Sequence, residues 1–413
     1  MRTLSGQSAA RMVGRLASRG TSLSALEPKV RSIISSVRRG GDAALRRYAT
    51  RWDGLAKNQP LAVAEPEMTD AWKSAPPAVR KSLTQAATNI RRFCQQQKPR
   101  SWTRTRNGIS LGQLARPVDS AGCYVPGGRY PLVSTLLMTV IPAQIAGVGN
   151  ILVVSPKPSP EVLAAAGMLG VREFYRVGGA QAIAALAYGT KTISRVDKIV
   201  GPGNAYVTAA KKLVSFDCAI DFLAGPTEAL VLSESGNPRF IAADLVSQSE
   251  HDPDALSLFI TTSQKLAGEV AHNLDELSSD NPIARKSLQR QGAVLVAESR
   301  EQARQWANLL APEHITVDPE DVPFIRNAGS IFVGNYSPQA AGDYASGPNH
   351  VLPTAGQARF RGGLSVLDFM KLITIQELTR AGLQQIGPSV ESLAQLEGLK
   401  AHANSIRVRN TRA

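Results

Sequence analysis

Short runs of β-branched and aliphatic residues alternate with stretches in which apolar positions recur every three or four residues. The runs NILVVSP, EFYRVGG, DKIVGPGN, EALVLSE, LSLFITTS, GAVLVAES, HITVD and SIFVGN have the length and composition of strands. Between them, AQAIAALAYGT and EQARQWANLLA carry the helical period. Strands separated by helices imply βαβ units and mostly parallel sheets, hence an α/β fold. From about Leu26 to Ala115 the pattern is mostly helical, clearest in KVRSIISSVRRGGDAALRRYATRWDG and PAVRKSLTQAATNIRRFCQQQ. LVSTLLMTVIPAQIAGVG reads as a buried helix, because Pro142 and polar residues break it well short of a bilayer span. PSVESLAQLEGLKAHANSIRVRN reads as an amphipathic helix with Val390, Leu393, Leu396 and Leu399 on one face, followed by a tail.

A chain of 413 residues exceeds one ordinary core, so two large domains with smaller pieces are expected. The division drawn is an N-terminal arm at 1–24, a first α/β domain from 25–115 and 226–364, a second from 116–225, and a C-terminal helical segment at 365–413. Catalytic chemistry is expected in the first domain and cofactor-binding loops in the second.

Composition narrows the function. The chain is 43% hydrophobic and 19% charged, as folded soluble proteins are, and no apolar run is long enough for a membrane. Lys and Arg number 47 against 33 Asp and Glu, a net charge of +14 that should attract anions. The basic residues are dispersed and only 5% of residues are aromatic, which disfavours a nucleic-acid binder and fits an approach field for a phosphate-bearing cofactor. Cys94, Cys123 and Cys218 form no CxxC and no disulfide framework, which fits a reducing cytoplasm. The opening stretch MRTLSGQSAARMVGRLASRGTSLSALE is rich in Arg and Ser with Glu27 as its first acid, a transit-peptide composition. An amphipathic arm on a cytoplasmic protein is the preferred reading.

Three glycine turns have the composition to hold phosphates or a nicotinamide. CYVPGGRYP places Gly127 and Gly128 where a ligand can approach backbone, while VGGAQAIAALAYG and KIVGPGNAYVTAAKKL each run strand, glycine, helix. Both helices would present N–H groups at carboxyl ends of strands. Neither completes the dinucleotide fingerprint, since Tyr206 stands where a third glycine belongs, and each taken singly is also an ordinary βα turn.

The five histidines are His251, His272, His314, His350 and His402. His272, among charged neighbours on a helix, reads as a surface residue. Gln248 and His251, in SQSEHDPDA, are spaced to share one helix face, either as a solvated helix end or as one edge of a site. With Asp343 and His402 they would offer two imidazoles, one carboxylate and one amide oxygen, a set suited to Zn²⁺. With no cysteine among them, an open catalytic site is more plausible than a closed structural one. Spacing this wide leaves the metal site and a scattered set of polar residues both open. Glu313 and His314, adjacent after Pro312, either form a proton-transfer pair aimed by a turn or are a capping acid beside a core histidine.

Taken together, the motifs resemble the histidinol dehydrogenase family. YVPGGRYPLVSTLLMTVIPAQIAGV, GGAQAIAALAYGT, DKIVGPGNAYVTAAKKLV, AGPTEALV, DLVSQSEHDPDA, APEHITV, AGDYASGPNHVLPT and EGLKAHANSIRVR follow the family's order across about Val30 to Val408. The resemblance implies a zinc- and NAD-dependent, four-electron oxidation of L-histidinol through L-histidinal to L-histidine. It assigns one zinc per subunit to Gln248, His251, Asp343 and His402, with His402 supplied by the other subunit of a homodimer. It assigns catalysis to Glu313 and His314, and substrate contact to Thr227, His350 and Glu397 along with the metal-ligating positions and His314. Tyr124, Gln181 and Asn204 match NAD contacts. The implied fold is two Rossmann-like, incomplete parallel-sheet domains with small terminal segments exchanged between subunits. Thr227 stands where some members have serine, and DCAIDFLAGPTE departs from the DMPAGPSE form. The competing readings are a paralogue oxidising another small polar alcohol with the same apparatus, and a metallohydrolase, which would leave the glycine turns unexplained.

Overall fold

The computed structural model describes residues 1–20, 23–127 and 132–410. They divide into two compact units, one of Met1–Gln97 with Asp119–Phe369, the other of Lys98–Val118 with Met370–Ala413.

The larger unit holds two six-stranded sheets. In the first, the spatial order is Arg2–Ser5, Ala293–Val296, Leu256–Thr261, Glu228–Leu232, His314–Val317 and Ser330–Val333, all parallel. In the second it is Ala62–Val63, Glu173–Tyr175, Asn150–Val154, Ser120–Tyr124, Lys198–Val200 and Ala219–Ile220, parallel except at the short Ala62–Val63 edge. Setting aside the outermost N-terminal strand in each, both sheets run in the order 3-2-1-4-5, one half of a doubly wound fold. Each therefore reverses direction beside its first strand, at Glu228–Leu232 in one and Ser120–Tyr124 in the other. All eight strands expected from the sequence are present, and Val133–Ala146 is the buried helix read from its apolar run.

Four expectations are corrected. The N-terminal arm at 1–24 is amphipathic as expected but is not separate from the first sheet: Arg2–Ser5 pairs with Ala293–Val296, and helix Gly6–Ala17 buries Ala9, Met12, Val13 and Leu16 in that sheet's core. Helix Glu27–Trp52, grouped above with 226–364, packs instead on the second sheet's helices Gly179–Tyr188 and Ala205–Val214. Its Val30, Ile33, Val37 and Leu45 share a core with Ile183, Leu186 and Val207, burial that periodicity foretells without naming the partner. The mostly helical reading to Ala115 fails at Trp102–Arg106 and Ile109–Pro117, which with Met370–Leu378 form the smaller unit's antiparallel sheet. Their side chains are polar or half exposed, so no buried face produced a strand signal. The C-terminal stretch is two helices, Arg380–Leu396 and Lys400–Asn410, broken where Gly398 takes φ +74°.

One charged cluster braces the first sheet's helical layer. The fully buried Asp321 carboxylate accepts from Arg300 Nε at 2.9 Å, Arg300 Nη2 at 2.9 Å and Arg304 Nε at 2.7 Å. Burial works to raise its pKa, but those hydrogen bonds outweigh it and hold the carboxyl below its usual range. A depressed pKa adds stability above the unfolded-state value that is lost as pH falls through the folded one. Asp321→Asn is expected to cost about 1–3 kcal/mol at pH 7. In melting curves recorded against pH, its deficit should shrink as the pH falls below about 4; a constant deficit would mean the charge is irrelevant.

Candidate active site

Strand ends bring the expected proton-transfer pair together. Ala229 and His314 are register partners on adjacent strands, so Thr227–Glu228 and Glu313 lie side by side where both strands begin. Glu313 Oε2 accepts from Thr227 Oγ1 at 2.7 Å and from the Glu228 backbone N–H at 3.0 Å. Among the described residues, Oε1 takes no such bond. Burial is the main force on this carboxyl and lifts its pKa to about 7, even though His314, Thr227 and the Glu228 N–H pull the other way. It can thus exchange a proton near neutrality. Glu313 caps no helix; its bonds go to the start of the neighbouring strand, which leaves it a candidate base.

His314 is 2% exposed, with Nε2 3.2 Å from Asp343 Oδ1 and Nδ1 3.8 Å from Glu313 Oε2. Burial depresses its pKa, but Glu313 and Asp343 more than reverse that and raise it. Among the described residues Nδ1 takes no hydrogen bond, an expensive state for a buried nitrogen. The ring stacks on Phe332, centroids 5.9 Å apart.

Asp343 lies in the last turn of helix Gln339–Tyr344. Its Oδ1 faces His314, and its Oδ2 accepts from Gln248 Nε2 at 2.7 Å. Burial opposes its ionisation, yet hydrogen bonds from His314 and Gln248 and the nearby imidazoles keep its pKa low. Gln248 is buried in the last turn of helix Pro238–Ser249. His251 lies past that helix's end, so the shared helix face expected above does not exist. A turn does the same work, with His251 N–H reaching Gln248 O at 3.4 Å. His350 Nδ1 lies 2.6 Å from the Asp343 carbonyl and donates to it, which leaves Nε2 to accept from Thr135 Oγ1 at 3.4 Å. Burial keeps this ring neutral by lowering its pKa.

One cavity of about 210 Å³ is lined by Thr227, Gln248, His251, Glu313, His314, Asp343 and His350, with Phe222 and Thr354 among its other walls. Seven positions spread over more than a hundred residues of sequence thus meet. Glu397 and His402 do not join them within the larger unit. They belong to the smaller one, where both side chains are exposed, and His402 sits on helix Lys400–Asn410 rather than in a tail. His272 is exposed on Gln264–Leu277.

In the first sheet these residues cluster at the amino ends of strands, opposite to the usual rule for open α/β sheets. The second sheet obeys that rule. A cleft of about 560 Å³ at the carboxyl end of Ser120–Tyr124 is lined by Tyr124, Gln181 and Asn204, with Lys29, Lys157, Trp52 and Tyr206. A neighbouring cavity of about 490 Å³ runs from Asn204 and Pro202 to Thr227 and His251, joining the two regions.

The glycine turns differ from a phosphate cradle. Asp53 Oδ2 already takes the Gly178 N–H at 3.0 Å and Gln181 Nε2 at 3.1 Å, and Tyr124 Oη takes the Gly179 N–H at 3.1 Å. Asp221 Oδ2 takes the Gly201 N–H at 2.7 Å, and Asn204 Oδ1 caps the next helix at Tyr206 N and Val207 N. The anion positions are filled by the chain's own oxygens. A Cβ at Gly127 would strike the Pro156 carbonyl and one at Gly201, where φ is +114°, the Tyr124 carbonyl, so protein packing dictates both glycines. Gly128 lies outside the described residues. Asp53, 125 residues from Gly178, gave no signal in the sequence, because a lone acid at a helix end is ordinary.

Among the described residues, no group of three or more His, Cys, Asp and Glu could hold a metal. Gln248, His251 and Asp343 contain only two such residues plus an amide, so this finding leaves their candidacy intact. The residues fit a divalent ion in kind: a carboxylate held ionised, an imidazole, and an amide whose Nε2 is committed to Asp343 while Oε1 stays available as donor atom.

The family model for histidinol dehydrogenase matches residues 16–410. Histidinol dehydrogenase of Methanothermobacter thermautotrophicus is 49% identical over 395 residues, covering 92% of each chain. That of Geobacter metallireducens is 46% identical over 400 residues, covering 93% of this chain and 92% of its own. The crystal structure of histidinol dehydrogenase from Elizabethkingia anophelis superposes with a TM-score of 0.94 at 37% identity, covering 99% of this chain and 98% of that one. With the family model, the relatives and the solved structure agreeing along nearly its whole length, the chain belongs to the histidinol dehydrogenase family.

Proposed function

We propose that the chain oxidises L-histidinol through L-histidinal to L-histidine, with one zinc per subunit and NAD, in the cytoplasm. The observation that carries this reading is the single cavity in which a carboxyl with pKa near 7, a buried imidazole with an unpartnered nitrogen and a candidate metal-binding trio converge. Gln248, His251 and Asp343 would hold zinc, completed by His402 of the second subunit in a homodimer. Tyr124, Gln181 and Asn204 would contact NAD in the adjoining cleft. When bound, zinc supplies a fixed cation that orients the imidazole and amine of the substrate, and NAD supplies the acceptor for each hydride.

The chain's own groups handle protons and placement. His314 takes the alcohol proton through Nδ1 as hydride leaves the carbon, giving the aldehyde. Thr227 and the Glu228 N–H pin Oε2 of Glu313, so Oε1 takes a proton from water as its oxygen bonds to the aldehyde carbon. Protonated His314 returns its proton to the former aldehyde oxygen, completing the hydrate; the neutral ring then takes a hydroxyl proton from the hydrate as a second hydride leaves the carbon, giving the acid. His350, Glu397 and Thr227 border the substrate.

Two features support the exchanged dimer. The larger unit offers three of the four proposed ligands, and the smaller unit exposes Leu393 at 60% and Leu396 at 81% on helix Arg380–Leu396, with Leu399 at 42% just beyond its end, apolar side chains that ask for cover. Three free, buried cysteines suit a reducing compartment. Turnover of L-histidinol against alcohols lacking the imidazole or the amine separates this reading from a paralogue. Oxidation of L-histidinol alone is expected. Faster turnover of an alcohol without either group would transfer the site to another substrate.

A further inference from the structure

The Arg- and Ser-rich N-terminal segment ends in a contact with the catalytic strand. Helix Gly6–Ala17 is anchored by its apolar face, and Arg359 Nη2 donates to its Ala17 carbonyl at 2.9 Å. Just beyond it, Arg19 Nη1 donates to the Leu16 carbonyl at 2.8 Å, which orients the guanidinium. Its Nε and Nη2 then grip Glu228 as a fork, at 2.7 Å to Oε1 and 2.5 Å to Oε2. Glu228 is 4% exposed, so its carboxylate depends on that partner. Its Oε1 also takes the N–H of Ala355, a non-glycine residue at φ +54°, next to the cavity-lining Thr354. Glu228's own N–H goes to Oε2 of Glu313. One side chain from the N-terminus thus holds, through Glu228, both the strand end that aims Glu313 and the loop that walls the cavity.

We propose that Arg19 is a positioning residue for Glu313, acting through Glu228. The inference rests on the function proposed above, because it assigns Arg19 an effect on the water-activating step. A planar fork gripping both carboxylate oxygens fixes orientation, which a single ammonium does less well. Displacing the Glu228 backbone by a fraction of an ångström moves the donor that leaves Oε1 of Glu313 as the oxygen meeting water, and small misplacements are costly in such steps.

The experiment compares wild type with Arg19→Met, Arg19→Lys and the double variant Arg19→Met/Glu228→Gln, by thermal melting and by separate assays on L-histidinol and L-histidinal. Arg19→Met is expected to lower kcat for aldehyde oxidation roughly tenfold with KM nearly unchanged. Arg19→Lys should recover part of that loss. The double variant no longer buries an unpaired carboxylate, so its melting temperature should return towards wild type while its kcat stays low. Recovery of kcat together with stability in the double variant would reduce Arg19 to a structural charge partner and overturn the proposal. So would wild-type kcat in Arg19→Met. Failure of the wild-type protein to oxidise either compound would instead overturn the underlying function.

Discussion

Glu313→Gln is expected to lower the rate of L-histidinal oxidation by roughly 10²–10⁴-fold, the usual range for loss of a positioned base, while hydride transfer from the alcohol slows far less. The amide is nearly the same size and can still accept from Thr227 Oγ1 and the Glu228 N–H, so the strand ends should stay in place. What it cannot do is take a proton. The wild-type carboxyl does so near neutrality because burial lifts its pKa to about 7. In the proposed mechanism, losing that group removes the acceptor for water's proton and leaves the alcohol step to His314. The check is single-turnover NADH formation from alcohol and aldehyde assayed separately. Equal losses in both would mean that Glu313 positions His314 and does not activate water.

Asp343→Asn carries the second large effect, and it should strike both half-reactions. This carboxylate receives Gln248 Nε2 at 2.7 Å, faces His314 Nε2 at 3.2 Å, and its backbone carbonyl fixes the His350 tautomer. As proposed, it is also the only anionic zinc ligand. The amide keeps the size but offers one weak oxygen donor, and its NH₂ meets the donors of its neighbours. Bound zinc per subunit should fall from about one to well below it, with overall turnover down by at least about 100-fold. Metal analysis of the dialysed protein reads the first quantity and a histidinol assay the second. Full zinc content with lost turnover would move Asp343 from the metal to the orientation of His314.

The sequence made the strand runs legible because a strand buried on both faces is a short, nearly unbroken apolar word, as in EALVLSE and LSLFITTS. It failed on Trp102–Arg106 and Ile109–Pro117, whose pairing buries little and so leaves no alternation to read. The docking of helix Glu27–Trp52 was equally hidden, since periodicity states that a face is buried and is silent on what covers it. Within the site, Glu313 and His314 were marked by adjacency after a proline. Gln248 and His251 were marked by a helical spacing that the fold does not use, although a turn brings them to one cavity all the same. Resemblance, not spacing, singled out Thr227 and His350. Arg19, Asp53 and Phe222 were invisible because an arginine, an acid or a phenylalanine acquires meaning only from a partner far along the chain. The glycine turns carried a subtler lesson. They lie at the carboxyl edge where a cofactor is expected, yet their N–H groups are taken by Asp53, Tyr124 and Asp221. A pyrophosphate bound there would have to rely on other donors, of which Lys29 and Lys157 line the cleft.

The most direct measurement is the number of NADH molecules formed per L-histidinol consumed by the zinc-loaded protein with excess NAD⁺, with the product identified. A base for the alcohol and a separate base for water in one cavity predict two NADH per alcohol and L-histidine as the product. One NADH with release of the aldehyde, or no NADH at all, would contradict the account.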